Sequence, residues 1–290
     1  MSSPISAPEA CSRLSVQLAS GRISMRSVVQ NTWRIQQQVK TRPAEERGTW
    51  PRALSAFQSR LHWHCHFMQK FESEPALEFY NMARSCDGLR EDSFSEDKFQ
   101  AWCSGHTGYP FIDACMRYLL TTGWINFRMR AMLMSFAAYD LWLHWRRPAH
   151  HLAQLFIDFE PGIHYPQIQM QSGTTGINTL RIYNPVKQST DQDPNGTFIR
   201  QWVPEVSGFD DLRIHSPWQA TALEQMAAAR ARERGSARAR EPRAPTRLPS
   251  TRRERCVSSV PLFFLPLSAL RRWPKYVFSS TRRAHPPWWF

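Results

Sequence analysis

No stretch of the 290 residues approaches 18 uninterrupted apolar positions, and this excludes an ordinary membrane-spanning helix. The opening residues, MSSPISAPEACSRLS, lack the basic and apolar halves of a secretory leader. Cysteine is scarce: six residues, at 11, 65, 86, 103, 115 and 256, with no CxxC pair and no framework spacing. That pattern suits free thiols in a reducing compartment and argues against a disulfide scaffold, a structural zinc or an iron–sulfur centre. The expected setting is intracellular and soluble, cytoplasmic or nuclear. Acidic residues fall short of basic ones, 24 against 37, for a formal net charge of +13. The surplus is local. Residues 219–290 hold 15 Lys/Arg against 4 Asp/Glu, which is +11 of the +13, so residues 1–218 are nearly neutral. Strong basicity, with its pull on anionic partners, belongs to the carboxyl-terminal segment.

What is abundant is apolar and aromatic: 42% and 12% of the chain, including 12 Trp, ample for a core. Residues 12–40 carry apolar side chains at helical spacing (Val28, Val29, Trp33, Ile35, Val39), broken by Pro43, Gly48 and Pro51. A second amphipathic run spans Leu54 to Phe71, and 72–96 reads as loop with short helical turns. Pro110 opens a helix that Gly123 closes. Residues 126–145 are apolar on more than one side, which predicts a buried helix ended by Arg146-Arg147-Pro148. Residues 158–176, with two Pro and three Gly, read as loop. No alternation of strand and helix patterns marks a parallel sheet, so 1–218 is expected to be an all-α domain. From 219 the chain becomes Arg-rich and low in complexity, and 219–290 is expected to be a disordered basic tail.

The chemistry-bearing motifs cluster between 99 and 205. They are Gly105-His106-Thr107-Gly108-Tyr109-Pro110-Phe111-Ile112-Asp113-Ala114, Met116-Arg117, Thr122-Gly123-Trp124, Arg128-Met129-Arg130, Ser135-Phe136, Asp140-Leu141 and Trp145. Asp158, Arg181-Ile182-Tyr183-Asn184-Pro185, Gln188, Asp193-Pro194, Gly196 and Phe198-Ile199-Arg200-Gln201-Trp202-Val203-Pro204-Glu205 follow. In this order they resemble the flavin-binding helical domain of the cryptochrome/DNA photolyase family. Weaker similarity extends back to Cys11 and forward to Trp218.

The resemblance implies FAD as cofactor. It places the pyrophosphate against Cys11-Ser12-Arg13-Leu14-Ser15, where hydroxyls and backbone N–H groups at a helix start suit phosphate oxygens. Arg130 and Asp158 match an ion pair beside the isoalloxazine ring: the guanidinium offsets negative charge on a reduced ring, and the carboxylate keeps it from being an unpaired buried cation. Phe159 and Glu160 follow on the same loop, and Asn126 and Phe127 stand where a residue approaches the flavin. Trp145 matches the middle carrier of the family's electron relay. The neighbouring Trp-x-Trp is replaced by Ile168-Gln169-Met170, so Trp124, Tyr139, Trp142 and Tyr165 are the remaining aromatic candidates.

Dimer repair in the family takes flipped bases into a pocket with an acidic residue and a Trp. Here Trp63 is kept, but Arg60 stands at the acidic position and cannot accept a hydrogen bond from a base; it is a candidate phosphate contact instead. In the run His62-Trp63-His64-Cys65-His66, His62 and His66 are four apart, and without a third ligand they read as pocket wall rather than metal site. The leading expectation is a blue-light flavoprotein of the cryptochrome/photolyase type, with photolyase-like lyase activity open and damaged or single-stranded DNA as a partner. The alternative is a non-catalytic flavin domain acting as a signalling or DNA-binding module with a protein partner. The family's amino-terminal α/β antenna domain has no counterpart in these 290 residues.

Overall fold

A computed structural model describes residues 3–177 and 179–240, with side chains to residue 233, and no strand forms among them. Two long helices come first, α1 (Met25–Thr41) and α2 (Trp50–Ser73). Ser24 caps α1 by accepting from the Ser27 N–H at 3.1 Å. Ahead of α1 the expected 12–40 helix is interrupted: only Ser15–Ala19 is helical, and Gly21, at φ 69°, turns the chain before α1 begins.

The core is built by α3 (Glu96–Ser104), α4 (Pro110–Thr122) and α5 (Phe127–Ser135). Asp113 organises the turn before α4. Its carboxylate accepts from the Thr107 N–H and hydroxyl and the Gly108 N–H, and these bonds counter the burial that raises its pKa. Gly123, left-handed at φ 68°, ends α4 as expected. Trp102, Phe111, Met116, Leu119, Met132, Leu133 and Trp145 are almost wholly buried between these helices and the next. Each contributes about 1.5–3 kcal/mol by leaving water.

The expected helix over 126–145 is two pieces. After α5 the chain widens into a π-helical turn, Phe136–Asp140, and Trp142 then adopts φ 58°, a conformation that bulky residues rarely take. Arg146-Arg147-Pro148 opens α6 (Arg146–Leu155) instead of ending a helix, because Pro in the first turn forfeits no intrahelical bond. The predicted loop over 158–176 contains α7 (Pro161–Ser172), started by Pro161 and closed by Gly173 at φ 73°. Gly162 lets α7 lie against α2, since a Cβ there would sit 3.2 Å from the Met68 Cα. Helices α8 (Pro185–Gln192) and α9 (Thr197–Trp202) complete the core.

The basic segment also departs from expectation. Residues Ala222–Arg240 form α10, begun by a reciprocal cap in which Glu224 accepts from Thr221 N–H at 2.6 Å and Thr221 Oγ1 from Glu224 N–H at 3.3 Å. Ala and Arg are good helix formers, and buried Ala228 seats α10 close against Gly208. The part of the expected tail from 222 to 240 is thus helical in the structure. Residues 241–290 of the expected tail lie outside the described residues.

Candidate functional site

Helix α5 and the loop after α6 set the centre of the site. Arg130 sits on the first turn of α5, where its Nε donates to the Ile125 carbonyl at 2.7 Å. One terminal nitrogen, Nη2, reaches both oxygens of Asp158 at 2.9 Å. The Phe156 ring lies beneath the guanidinium, 4.1 Å from its carbon. The Asp158 side chain is 3% exposed, so the pair holds a carboxylate that water scarcely reaches.

His164, on the first turn of α7, packs edge-on against Phe156 and Phe159 at 5.9 and 5.2 Å. Its Nε2 donates to the Ala149 carbonyl at 2.9 Å. Burial, with some repulsion from Arg130, lowers its pKa to about 4, so the ring is neutral near pH 7. Beside it, Glu160 joins α2: His64 Nε2 lies 3.0 Å from its carboxylate. The other nitrogen, His64 Nδ1, is buried without a hydrogen-bond partner among the described residues, as is Arg128 Nε on α5.

Residues 11–15 approach the segment just ahead of α5. The Arg13 guanidinium lies 4.8 Å over the ring of buried Trp124, so Cys11-Ser12-Arg13-Leu14-Ser15 adjoins the entry to α5. Arg13 has φ 53°, and Ser12 and Ser15 are exposed. The helix that starts at Ser15 is capped by no side chain, so those hydroxyls do not serve as its N-cap. Asn126 is buried just before α5, whereas Phe127 is exposed.

Other predicted residues stand apart. Trp145 is fully buried with its indole N–H held by Asn81 Oδ1 at 2.6 Å. Trp63 lines a cleft on another face of α2, and Arg60 is exposed. Sequence reasoning missed His64 and His164. His64 was legible only as one of three histidines in a short run, and its partner lies 96 positions away.

Residues 57–239, well over half of the chain, match the family model described as the FAD binding domain of DNA photolyase. The chain belongs to the cryptochrome/DNA photolyase family. It is 34% identical over 224 residues to a deoxyribodipyrimidine photo-lyase of Vibrio cholerae, covering 75% of this chain and 45% of that protein. A Cryptochrome DASH of Gloeobacter violaceus is 32% identical over 130 residues, covering 44% of this chain and 26% of the relative. Among solved structures, a class III photolyase from Agrobacterium tumefaciens superposes with a TM-score of 0.67 at 27% identity, over 81% of this chain and 50% of that one. The chain thus spans less than half the length of the curated relatives.

The expected helical FAD-binding domain and its cofactor stand on these matches. The residues present fit FAD: an anchored guanidinium, exposed hydroxyls on either side of a second Arg, and two buried nitrogen groups with unused hydrogen-bonding capacity. Among the described residues no helix is long and apolar enough to cross a membrane.

Proposed function

We propose that this chain is a light-driven electron-transfer module in which Arg130, Asp158, Glu160 and His64 would hold the ring and ribityl side of FAD and residues 11–15 its pyrophosphate. The observation that carries the reading is the immobilised Arg130–Asp158 pair. FAD supplies the blue-light chromophore and accepts the electron. The chain's own residues supply the field. Arg130 is a cation locked in place by Ile125 and Asp158, and a fixed charge needs no reorganisation when negative charge develops beside it. His164, neutral at pH 7, adds no second cation and donates its one proton to Ala149, which leaves Nδ1 an acceptor. Asn126 and Phe127 would bracket the approach to the ring, and Phe156, under the Arg130 guanidinium, with Phe159, edge-on to His164, would keep water from the ion pair.

Trp145 is the proposed internal electron carrier, its N–H retained by a neutral amide that is a poor proton acceptor. Trp124, under Arg13, is the proposed wall between phosphate and ring sides. Damaged DNA is the proposed substrate of a repair activity, with Trp63 as the stacking face for a flipped base. A second reading, a flavin module that binds DNA or a protein partner without repair, is favoured by Arg60. That side chain is an exposed cation at the position expected to accept hydrogen bonds from bases.

The test is direct. Purified protein is expected to be yellow, to release FAD on denaturation and to bleach reversibly under blue light with an external thiol. Colourless protein that takes up no added FAD overturns the proposal. Light-dependent loss of pyrimidine dimers then separates repair from the second reading.

A further inference from the structure

His62 and His66 lie one turn apart on α2 and both line a cleft of about 470 Å³, whose other described walls are Ser55, Gln58, Ser59 and Trp63. Both imidazoles are exposed, and neither makes a hydrogen bond to a described residue. Three other histidines are held by hydrogen-bond partners: His64 by Glu160, His164 by Ala149, and His215 by Ser189 and Pro194. Turning His64 toward α7 leaves its two neighbours in the run on a ridge of their own. His66 stands edge-on to Trp63, with ring centres 5.5 Å apart and planes at 88°, so its ring has a packing surface that sets its orientation.

Side chains four apart on a helix stand about 5–6 Å from one another at Cβ, a separation two imidazoles can bridge through one ion with bonds of about 2.0–2.1 Å. Imidazole selects zinc-class ions over magnesium or calcium, which need oxygen. The remaining cleft walls offer only hydroxyls and an amide, which are weak ligands for such ions. No group of three or more His, Cys, Asp or Glu gathers to hold an ion among the described residues, so a closed structural site is not what this ridge makes. We propose that His62 and His66 form an open two-histidine site for a zinc-class divalent ion, with water on the remaining coordination positions. Neither histidine contacts Arg130, Asp158 or Glu160, and the cleft shares Trp63 with the proposed base-stacking face, so ion binding is read on the chain without DNA.

The experiment titrates the full chain with Ni2+ alone by calorimetry and follows Cu2+ by pulsed EPR. The expected result is a site whose affinity falls about tenfold or more in His62→Ala or in His66→Ala, while His106→Ala has no effect. The Cu2+ spectrum of the unmodified chain should carry couplings from two imidazoles. Ni2+ binding that is unchanged in the double variant His62→Ala/His66→Ala overturns the proposal. So does a spectrum with fewer than two coupled imidazoles, a readout that holds even if the variants fold poorly.

Discussion

The helices from α3 to α9 and the segment ahead of α2 are built on different terms. In the first region Trp102 and Trp145 are completely buried, whereas in the second Trp33 is half exposed. Helix α1 buries only Val28, Thr32 and Val39 along its length. The proposed ring side is thus packed before any ligand arrives, and the proposed phosphate side, residues 11–15, is a segment with exposed hydroxyls touching the core through Arg13 and Trp124. A dinucleotide spanning the two would gain orientation from one side and give order to the other.

The sharpest way to break this contrast is Arg130→Leu, which strands the Asp158 carboxylate in a dry pocket. Removing one partner of a buried pair costs about 3–5 kcal/mol, and FAD retention should fall with it; urea unfolding and the flavin-to-protein ratio measure both. If stability is unchanged, the core side is not preorganised as described. Next comes pH. His164 has a pKa of about 4 in the fold against an ordinary 6.5, so between those values the unfolded chain binds a proton that the folded chain refuses. Its contribution is fully present above about pH 6.5 and lost as the pH falls toward 4, about 3 kcal/mol in all. Unfolding curves across that range should be correspondingly shallower in pH for His164→Gln.

On the other side, Ser24→Ala removes the cap of α1 and should cost about 1 kcal/mol, read as a small drop in the urea midpoint. The smallest stability effect belongs to Ser12→Ala, within about 0.5 kcal/mol because the side chain is exposed. Its measurable consequence should be faster loss of FAD on dilution. Equal flavin retention in Ser12→Ala and the parent chain would remove residues 11–15 from the proposed site.

Periodicity made the helical class legible, and Pro110 and Gly123 marked both ends of α4 because each residue has one backbone reason to be there. Arg130 and Asp158 were legible through family resemblance, and their geometry matches the expected pair. Three features were not. Helix α7 was hidden by Pro161, Gly162 and Pro166, whose composition mimics a loop, although Pro161 occupies the one turn where it costs nothing. Helix α10 was hidden by low complexity, since its stability comes from the Thr221–Glu224 cap and the contact of Ala228 with Gly208. The partners of His64 and His164 lie 96 and 15 positions away, separations that no local pattern encodes.

The π-helical turn at Phe136–Asp140 can be viewed as one residue more than a regular helix would need. Each residue of an α-helix advances the chain by about 1.5 Å and rotates it by about 100°. Deleting a single residue there would tighten the turn toward regular spacing and change the angle and height at which the chain leaves it. Trp145 would no longer meet Asn81, and the left-handed Trp142, which the buried Arg90 guanidinium faces at 4.7 Å, would lose its stacking partner. The turn therefore acts as a phase setter: the length of this stretch matters as much as the buried side chains it carries.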